Sequence, residues 1–479
     1  MKLILNRFAI TIAIILVVTG CSNQKINTPK NIIIFIGDGM GYNHVNITSY
    51  FQHGELGKQV YDSFPIKLGM TTFMIGGEIY NPDSVWTNFN FVKKKPTDSA
   101  ASGTAIATGS KTNKAKLSVD TLNNRLNTIL DIAEKFGKST GVVSTVPFSN
   151  ATPAAFVAHN ESRYNYKEIA KEMILDSKVD VIMGGGNPLF NPDGTPIKST
   201  NERFVGEKEA YDMNVGDNST TKLEEKIFNY VGCKEVWNLL NNGSIGADAD
   251  ADEVNDPWQL IQDRGLFQKY EKGETPKRVI GVFKSGQSTQ VERDDSLENG
   301  MPFSAPLNEE IPTLAEMTLA AINILDNNSE GFVMMAEGGA IDWVAHNNLL
   351  NRTIEEQIDF NKAIEATCNW VETNSSWDET LIIVTADHET GYLLGPGSNV
   401  KVSDSNVDLW KPIVNNGKGK LPSVEWFSED HTNSLVPFYA KGAGSSKFLD
   451  VIKGNDDVRG NYIDNSDIGN VIKLLLNSN

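Results

Sequence analysis

The sequence predicts an α/β fold, a central, mostly parallel β-sheet sandwiched by helices, with surface insertions. Three observations predict it. Short, continuously apolar runs, of which NIIIFIG at 31–37 is the clearest, lack the in–out alternation of a half-exposed strand and suit strands covered on both faces. Helical patterns fall between those runs, as parallel crossovers require. Several runs also stop at a residue able to do chemistry: Asp38 after the first, Glu337 and then Asp342 after a later one, Asp387 and His388 after another. In open parallel sheets, ligands bind beyond the carboxyl ends of the strands.

Taken in order, the chain opens with Lys2 and Arg7 ahead of an apolar core from Phe8 to Val18, too short for a comfortable bilayer span. It closes on Val18-Thr19-Gly20-Cys21, which resembles the lipobox of bacterial lipoproteins. Residues 1–20 are therefore expected to be a signal peptide and 21–479 a catalytic domain. A lipid on Cys21 would anchor that domain in the cell envelope, facing the periplasm or cell surface. The first buried strand runs into GDGMG at 37–41, where Gly37, Gly39 and Gly41 allow the turn that presents Asp38. In TDSAASGTAI at 97–106, a serine follows a carboxylate and opens a helix of very small residues. The free N–H groups and dipole of such a helix start favour negative charge, which suits an N-cap, the commoner use of a serine there, and also a nucleophile that carries a phosphate.

Leu122, Leu126, Ile129, Leu130, Ala133 and Phe136 make one helical stripe, ended by Gly137 ahead of the strand GVVSTV. DVIMGGG at 180–186 and RVIGVF at 278–283 read as further buried strands. From about 187 to 277 the pattern loosens, and this stretch is expected to be a surface insertion, as is 391–428. The acidic GSIGADADADEVND at 243–256 lacks the glycine and final glutamate of an EF-hand and reads as a solvated loop. TLAE at 313–316 and TIEE at 353–356 are capping boxes opening two amphipathic helices. The strands GFVMMAEGG and TLIIVTADH lie before and after the second of them. Cys233 and Cys368 are the cysteines left beyond Cys21; pairing and simple burial as thiols both fit.

With 43 Lys and Arg against 61 Asp and Glu, the net charge is −18. No basic stripe exists for a nucleic-acid backbone, so polymer binding is not expected. An anionic substrate would need positive charge gathered locally. Of six histidines, His346 lies four residues after Asp342, on one face of a helix turn, while His388 follows Asp387 and His431 follows Asp430. Imidazole and carboxylate without sulfur suit a hydrolytic zinc site with an open position. His44 and His159 read as structural.

GDGMG at 37–41, TDSAASGTAIATGSKT at 97–112, ATPAAFVAHNESR at 151–163, EGGAIDWVAH at 337–346, TADHETG at 385–391 and DHTNSLVPFYAKG at 430–442 resemble the alkaline phosphatase family, in that family's order. The resemblance implies two zinc ions and one magnesium. Asp342, His346 and His431 would hold the first zinc; Asp387 and His388, with Asp38 and the Ser99 oxygen, the second. Asp38, Thr152 and Glu337 would serve the magnesium, and Arg163 would clamp the phosphate. Small phosphate monoesters would be hydrolysed through a phosphoserine on Ser99, and many relatives act as homodimers. This chain has Asn150 where some members have Asp, and Trp343 where some have Lys. The first change removes an anionic partner of the third metal's water shell; the second removes a water-mediated phosphate contact.

Rival activities leave other traces. A sulfatase needs a modifiable residue in a C/S-x-P-x-R context, which Ser99-Ala100-Ala101 does not provide. Phosphodiesterases of the superfamily usually use a threonine nucleophile and lack counterparts of Thr152 and Glu337. A binding lipoprotein with a decayed site should have lost at least one ligand, and none is missing.

Overall fold

The computed structural model describes residues 27–197, 226–249, 253–293, 300–399 and 410–478, so the expected signal peptide and Cys21 lie outside the described residues. Eleven strands form one sheet. They are β1 (Asn31–Gly37), β2 (Ile66–Thr71), β3 (Ser139–Pro147), β4 (Val181–Gly185), β5 (Gln259–Ile261), β6 (Val279–Val282), β7 (Phe332–Gly338), β8 (Thr380–Thr385), β9 (Val436–Gly442), β10 (Gly454–Asp456) and β11 (Gly460–Asp464). Their spatial order is β10-β11-β2-β9-β8-β1-β7-β3-β4-β6-β5. From β8 across to β5 every pairing is parallel, whereas β9 runs antiparallel to both β8 and β2.

Parallel strands need covering on both faces, and β1, β7 and β8 are buried at every residue. One helical layer contains α1 (Tyr42–His53), α6 (Arg264–Tyr270), α7 (Leu314–Leu325) and α9 (Leu350–Asn374). The other contains α2 (Ser99–Thr108), α3 (Ile129–Lys135), α4 (Ala151–Val157) and α10 (Ser466–Leu476). Small side chains bring α2 and α4 together: a Cβ on Gly103 would stand 3.1 Å from that of Ala155. The short helix α8 (Ala340–His346) follows β7 directly.

Four sequence expectations change. The stripe from Leu122 to Phe136 is helical only from Ile129, because Thr128 and Asp131 form a capping box that starts the helix there. Leu122 lies in the preceding loop and is 80% exposed. Thr353 does not open a helix: α9 already begins at Leu350, and the Thr353 hydroxyl donates back to Leu349 O at 2.9 Å, one turn earlier. The stretch 187–277 is not wholly peripheral, since β5 is an edge strand of the main sheet and α6 packs on α7. Its short, broken apolar run hid that role. Finally, Ser99 is not the cap of α2: Asp98 is, its carboxylate accepting from Ala101 N. Cys233 and Cys368 are both free thiols, and Cys368 is buried.

Glu356 supplies a pH test of the fold. Its side chain is buried on α9, and burial first, then Asp359, pushes its carboxyl up to about 8. A raised folded-state value means that the native chain holds a proton the unfolded chain has released. Stability from this group is therefore complete below about pH 4.5 and is lost as pH rises towards 8. Glu356→Gln is expected to unfold at higher temperature than the parent at pH 9, by on the order of 1–2 kcal/mol of stability, with the gap closing at pH 5. Calorimetric melting at both pH values checks it.

Candidate metal centre

The carboxyl ends of the central strands bring the predicted residues together. Asp38 follows β1, Glu337 lies in β7, and Asp387 and His388 follow β8. α8 carries Asp342 and His346, and His431 lies in a short antiparallel pair with Thr390. The turn after β1 requires Gly39, whose φ is +72° and where a Cβ would meet Asp342 Oδ1 at 2.9 Å.

On one side, His346 Nε2 lies 3.3 Å from Asp342 Oδ2 and 3.1 Å from His431 Nε2, with His431 Nε2 3.6 Å from Asp342 Oδ1. On the other, His388 Nε2 is 3.2 Å from Asp387 Oδ2 and 3.4 Å from Asp38 Oδ1. The two sets touch, because the His388 and His431 rings stack with centroids 3.5 Å apart. Ser99 Oγ lies 3.2 Å from His388 Nε2.

The outer nitrogens fix the tautomers. His431 Nδ1 meets Thr97 O at 2.9 Å, and His346 Nδ1 meets Glu429 O. A carbonyl only accepts, so both Nδ1 atoms carry a proton; burial keeps His431 neutral with its Nε2 lone pair facing inward, whereas for His346 burial is outweighed by Asp342, which raises it to about 9 and leaves an inward Nε2 proton for a cation to displace. His388 Nδ1 meets Thr390 Oγ1 at 3.3 Å, and that hydroxyl donates to Asp342 Oδ1. It therefore accepts from His388, whose Nε2 is likewise left as a lone pair. Thr390 joins the two ligand sets, a role no spacing in the sequence signalled.

The electrostatics call for cations. Burial first, then Asp387, Asp342 and Glu337, raises the Asp38 carboxyl well above the usual range. Burial and Asp342 push Asp387 up to about 7, and burial raises Glu337 to about 8. Burial also works against the Asp342 charge, but His346, His431 and His388 outweigh it and hold that carboxyl well below normal. Asp38 Oδ1, Asp387 Oδ2 and Thr152 Oγ1 are buried with no hydrogen-bond partner. Inward-facing imidazole nitrogens, crowded carboxylates and orphaned oxygens fit bound divalent ions, with oxygen and nitrogen donors for the first two and oxygen alone for a third. At the third position, Glu337 Oε2 also accepts from the Ser144 hydroxyl, a partner that sequence reading missed.

Arg163 lies in the loop between α4 and α5 (Tyr166–Lys171). Its Nη1 donates to Asp98 Oδ2 at 3.2 Å and its Nη2 to Asn150 Oδ1 at 3.4 Å. Asp98 thus caps the serine helix and holds the arginine at once. The remaining histidines stand apart from the ligand sets. His44 is buried, accepts from Gly41 N at its Nδ1, and is pushed down to about 4 by burial. His159 sits against Glu172 and Leu126 O.

Comparison with known proteins agrees with this architecture. The family model described as alkaline phosphatase matches residues 29–412. Alkaline phosphatase 4 of Bacillus subtilis strain 168 is 27% identical over 485 residues, covering 89% of this chain and 87% of the relative. The cold-active alkaline phosphatase of a psychrophilic Shewanella superposes with a TM-score of 0.61 at 22% identity, covering 93% of this chain and 99% of that one. A variant of the alkaline phosphatase from the Antarctic bacterium TAB5, solved with Mg bound in its M3 site, gives 0.59 at 22% identity, over 95% and 99% of the two chains. This chain belongs to the alkaline phosphatase family.

Proposed function

We propose that the chain hydrolyses small phosphate monoesters to an alcohol and inorganic phosphate through a phosphoserine on Ser99, with two zinc ions and one magnesium bound. The observation that carries this reading is the position of Ser99: first residue of a buried helix, its Oγ 3.2 Å from His388 Nε2, its capping neighbour Asp98 bonded to Arg163.

Asp342, His346 and His431 would hold one zinc, Asp387, His388 and Asp38 the second, and Asp38, Thr152 and Glu337 the magnesium. When bound, these ions lower the pKa of the Ser99 hydroxyl and of a hydrolytic water and neutralise the attacking and leaving oxygens. Because Asp98 does the capping, Ser99 Oγ is free to attack phosphorus in line. The phosphoryl group then lies against the N-terminus of α2, where helix N–H groups favour an anion. Asp98 and Asn150 occupy one N–H each of the Arg163 terminal nitrogens, and Nε is buried without a partner. Three N–H groups remain for phosphate oxygens. Water takes the place of the departed alcohol, breaks the Ser99 ester in a second displacement, and returns the hydroxyl.

The test compares an aryl phosphate monoester with the matching diester at alkaline pH, using the full chain in detergent. Monoester turnover that stops on chelation and returns with zinc is the expected result; preference for the diester, or inactivity on both, overturns the reading. Trp343 makes a finer prediction. Trp343→Lys is expected to bind product more tightly, lowering the inhibition constant of inorganic phosphate by about threefold to tenfold, since an ammonium there adds a water-mediated contact. Unchanged inhibition would remove Trp343 from the account. The same reading takes Cys21 as the lipid anchor at the cell envelope and admits a homodimer.

A further inference from the structure

α2 meets the carboxyl end of β8 through Ser102 as well as Ser99. The two serines are three residues apart, on one face of the helix. Ser99 Oγ lies 3.2 Å from His388 Nε2, and Ser102 Oγ donates to the carbonyl oxygen of Asp387 at 2.6 Å. One helix face thus touches two consecutive residues of the second ligand set. The Asp387 side chain is held as well. Its Oδ1 accepts from Gly39 N at 3.2 Å and from His388 N at 2.9 Å, which leaves Oδ2 as the oxygen for a cation. Fastened at its carbonyl and at Oδ1, the residue has little freedom to turn that oxygen away.

Ser102 is fixed in turn from the far end of the chain. Asn465 Nδ2 donates to its Oγ at 2.8 Å, so the hydroxyl accepts there while its proton goes to Asp387 O. Asn465 stands at the start of α10, and its own N–H donates to Thr71 O at 3.0 Å, at the end of β2. Its Oδ1 accepts from Lys111 Nζ, which also pairs with Asp464 at 2.9 Å. Ser102 and Asn465 are both buried, so water offers neither a substitute partner. A line of bonds therefore runs from Lys111 through Asn465 and Ser102 to the backbone of a ligand. Asn465 lies beyond the last of the sequence motifs that carry the chemistry.

We propose that Ser102, anchored by Asn465, is a positioning residue for Asp387, and that it sets how firmly the second ligand set holds its cation. The proposal rests on Asp387, His388 and Asp38 being that set. It is tested on the full chain, with magnesium in excess, by titrating zinc against a competing chelator. A background carrying His346→Ala and His431→Ala dismantles the first set and leaves the second to be read alone. Adding Ser102→Ala there is expected to weaken zinc binding by about tenfold. Asn465→Ala, which frees the hydroxyl to turn, should cost about threefold, and less than about twofold once Ser102 is already alanine. Ser102→Cys, of similar size and with a weak donor, should recover part of the affinity. In a His388→Ala background, which leaves the first set, Ser102→Ala should change zinc affinity by less than about twofold, whereas a general loosening of the fold would weaken both sets alike. Unchanged affinity on adding Ser102→Ala, equal losses at the two sets, or no zinc bound at the second set overturns the proposal. The hydrolase reading fails separately: a parent that binds zinc and shows this affinity pattern but turns over no monoester overturns that reading and leaves the positioning role standing.

Discussion

Ser99→Ala is expected to lower kcat for an aryl phosphate monoester by about a thousandfold or more while leaving phosphate binding largely intact. Ser99 is 2% exposed, and its hydroxyl is the one nucleophile the site offers at the start of α2. Removing one oxygen leaves Arg163, Asp98 and the histidines in place, so the loss falls on the chemical step. It should not fall on folding: the cap bond of α2 comes from Asp98, and a buried Ser→Ala change there should shift stability by no more than about 1 kcal/mol. Acid-quenched turnover of a phosphate-labelled substrate gives the second readout. Label should stay on Ser99 in the parent and be absent from the variant. A variant within tenfold of the parent, or label on another residue, would sink the phosphoserine route.

Exhaustive chelation is the other large effect, and it should act on stability as well as turnover. Asp38, Asp342, Asp387 and Glu337 are all buried around one centre, where like charges oppose one another and water cannot screen them. Bound cations remove that conflict. A ligand present at a thousand times its Kd stabilises the fold by about 4 kcal/mol per site. The chelated protein is therefore expected to lose all turnover and to melt several degrees lower, with both recovering as zinc is returned. Melting and activity that both ignore the chelator would show that the clustered carboxylates are balanced by protons instead.

Much of this arrangement was legible in the sequence, for a physical reason. A strand buried on both faces has little freedom of composition, so NIIIFIG and TLIIVT mark their positions plainly, and the residues just past them fall at the sheet edge where ligands bind. What stayed hidden depended on contacts between distant segments. Thr390 links His388 to Asp342 through one hydroxyl, and nothing about a threonine announces that. The start of α3 turned on a capping box at Thr128 that competes with an apolar stripe running past it. Ser102 and Asn465 meet across 363 positions of chain with no periodicity between them. The edge strand β5 has three residues, too few for any pattern.

The stacked His388 and His431, with Asp38 and Ser99 beside them, have a consequence for how this protein comes into being. Ser99 and His388 are 289 positions apart, and His431 accompanies a segment still further on. A growing chain lacks one ligand set until His388 has been made and the other until His431 has been made. The centre exists only after the sheet has closed from β1 through β8, and pairings between such remote segments form slowly. On the reading that these sets hold metal, capture would follow closure of the sheet, and a chain ended before His431 would lack part of the centre. Activity in this family member doubles as a certificate of complete folding.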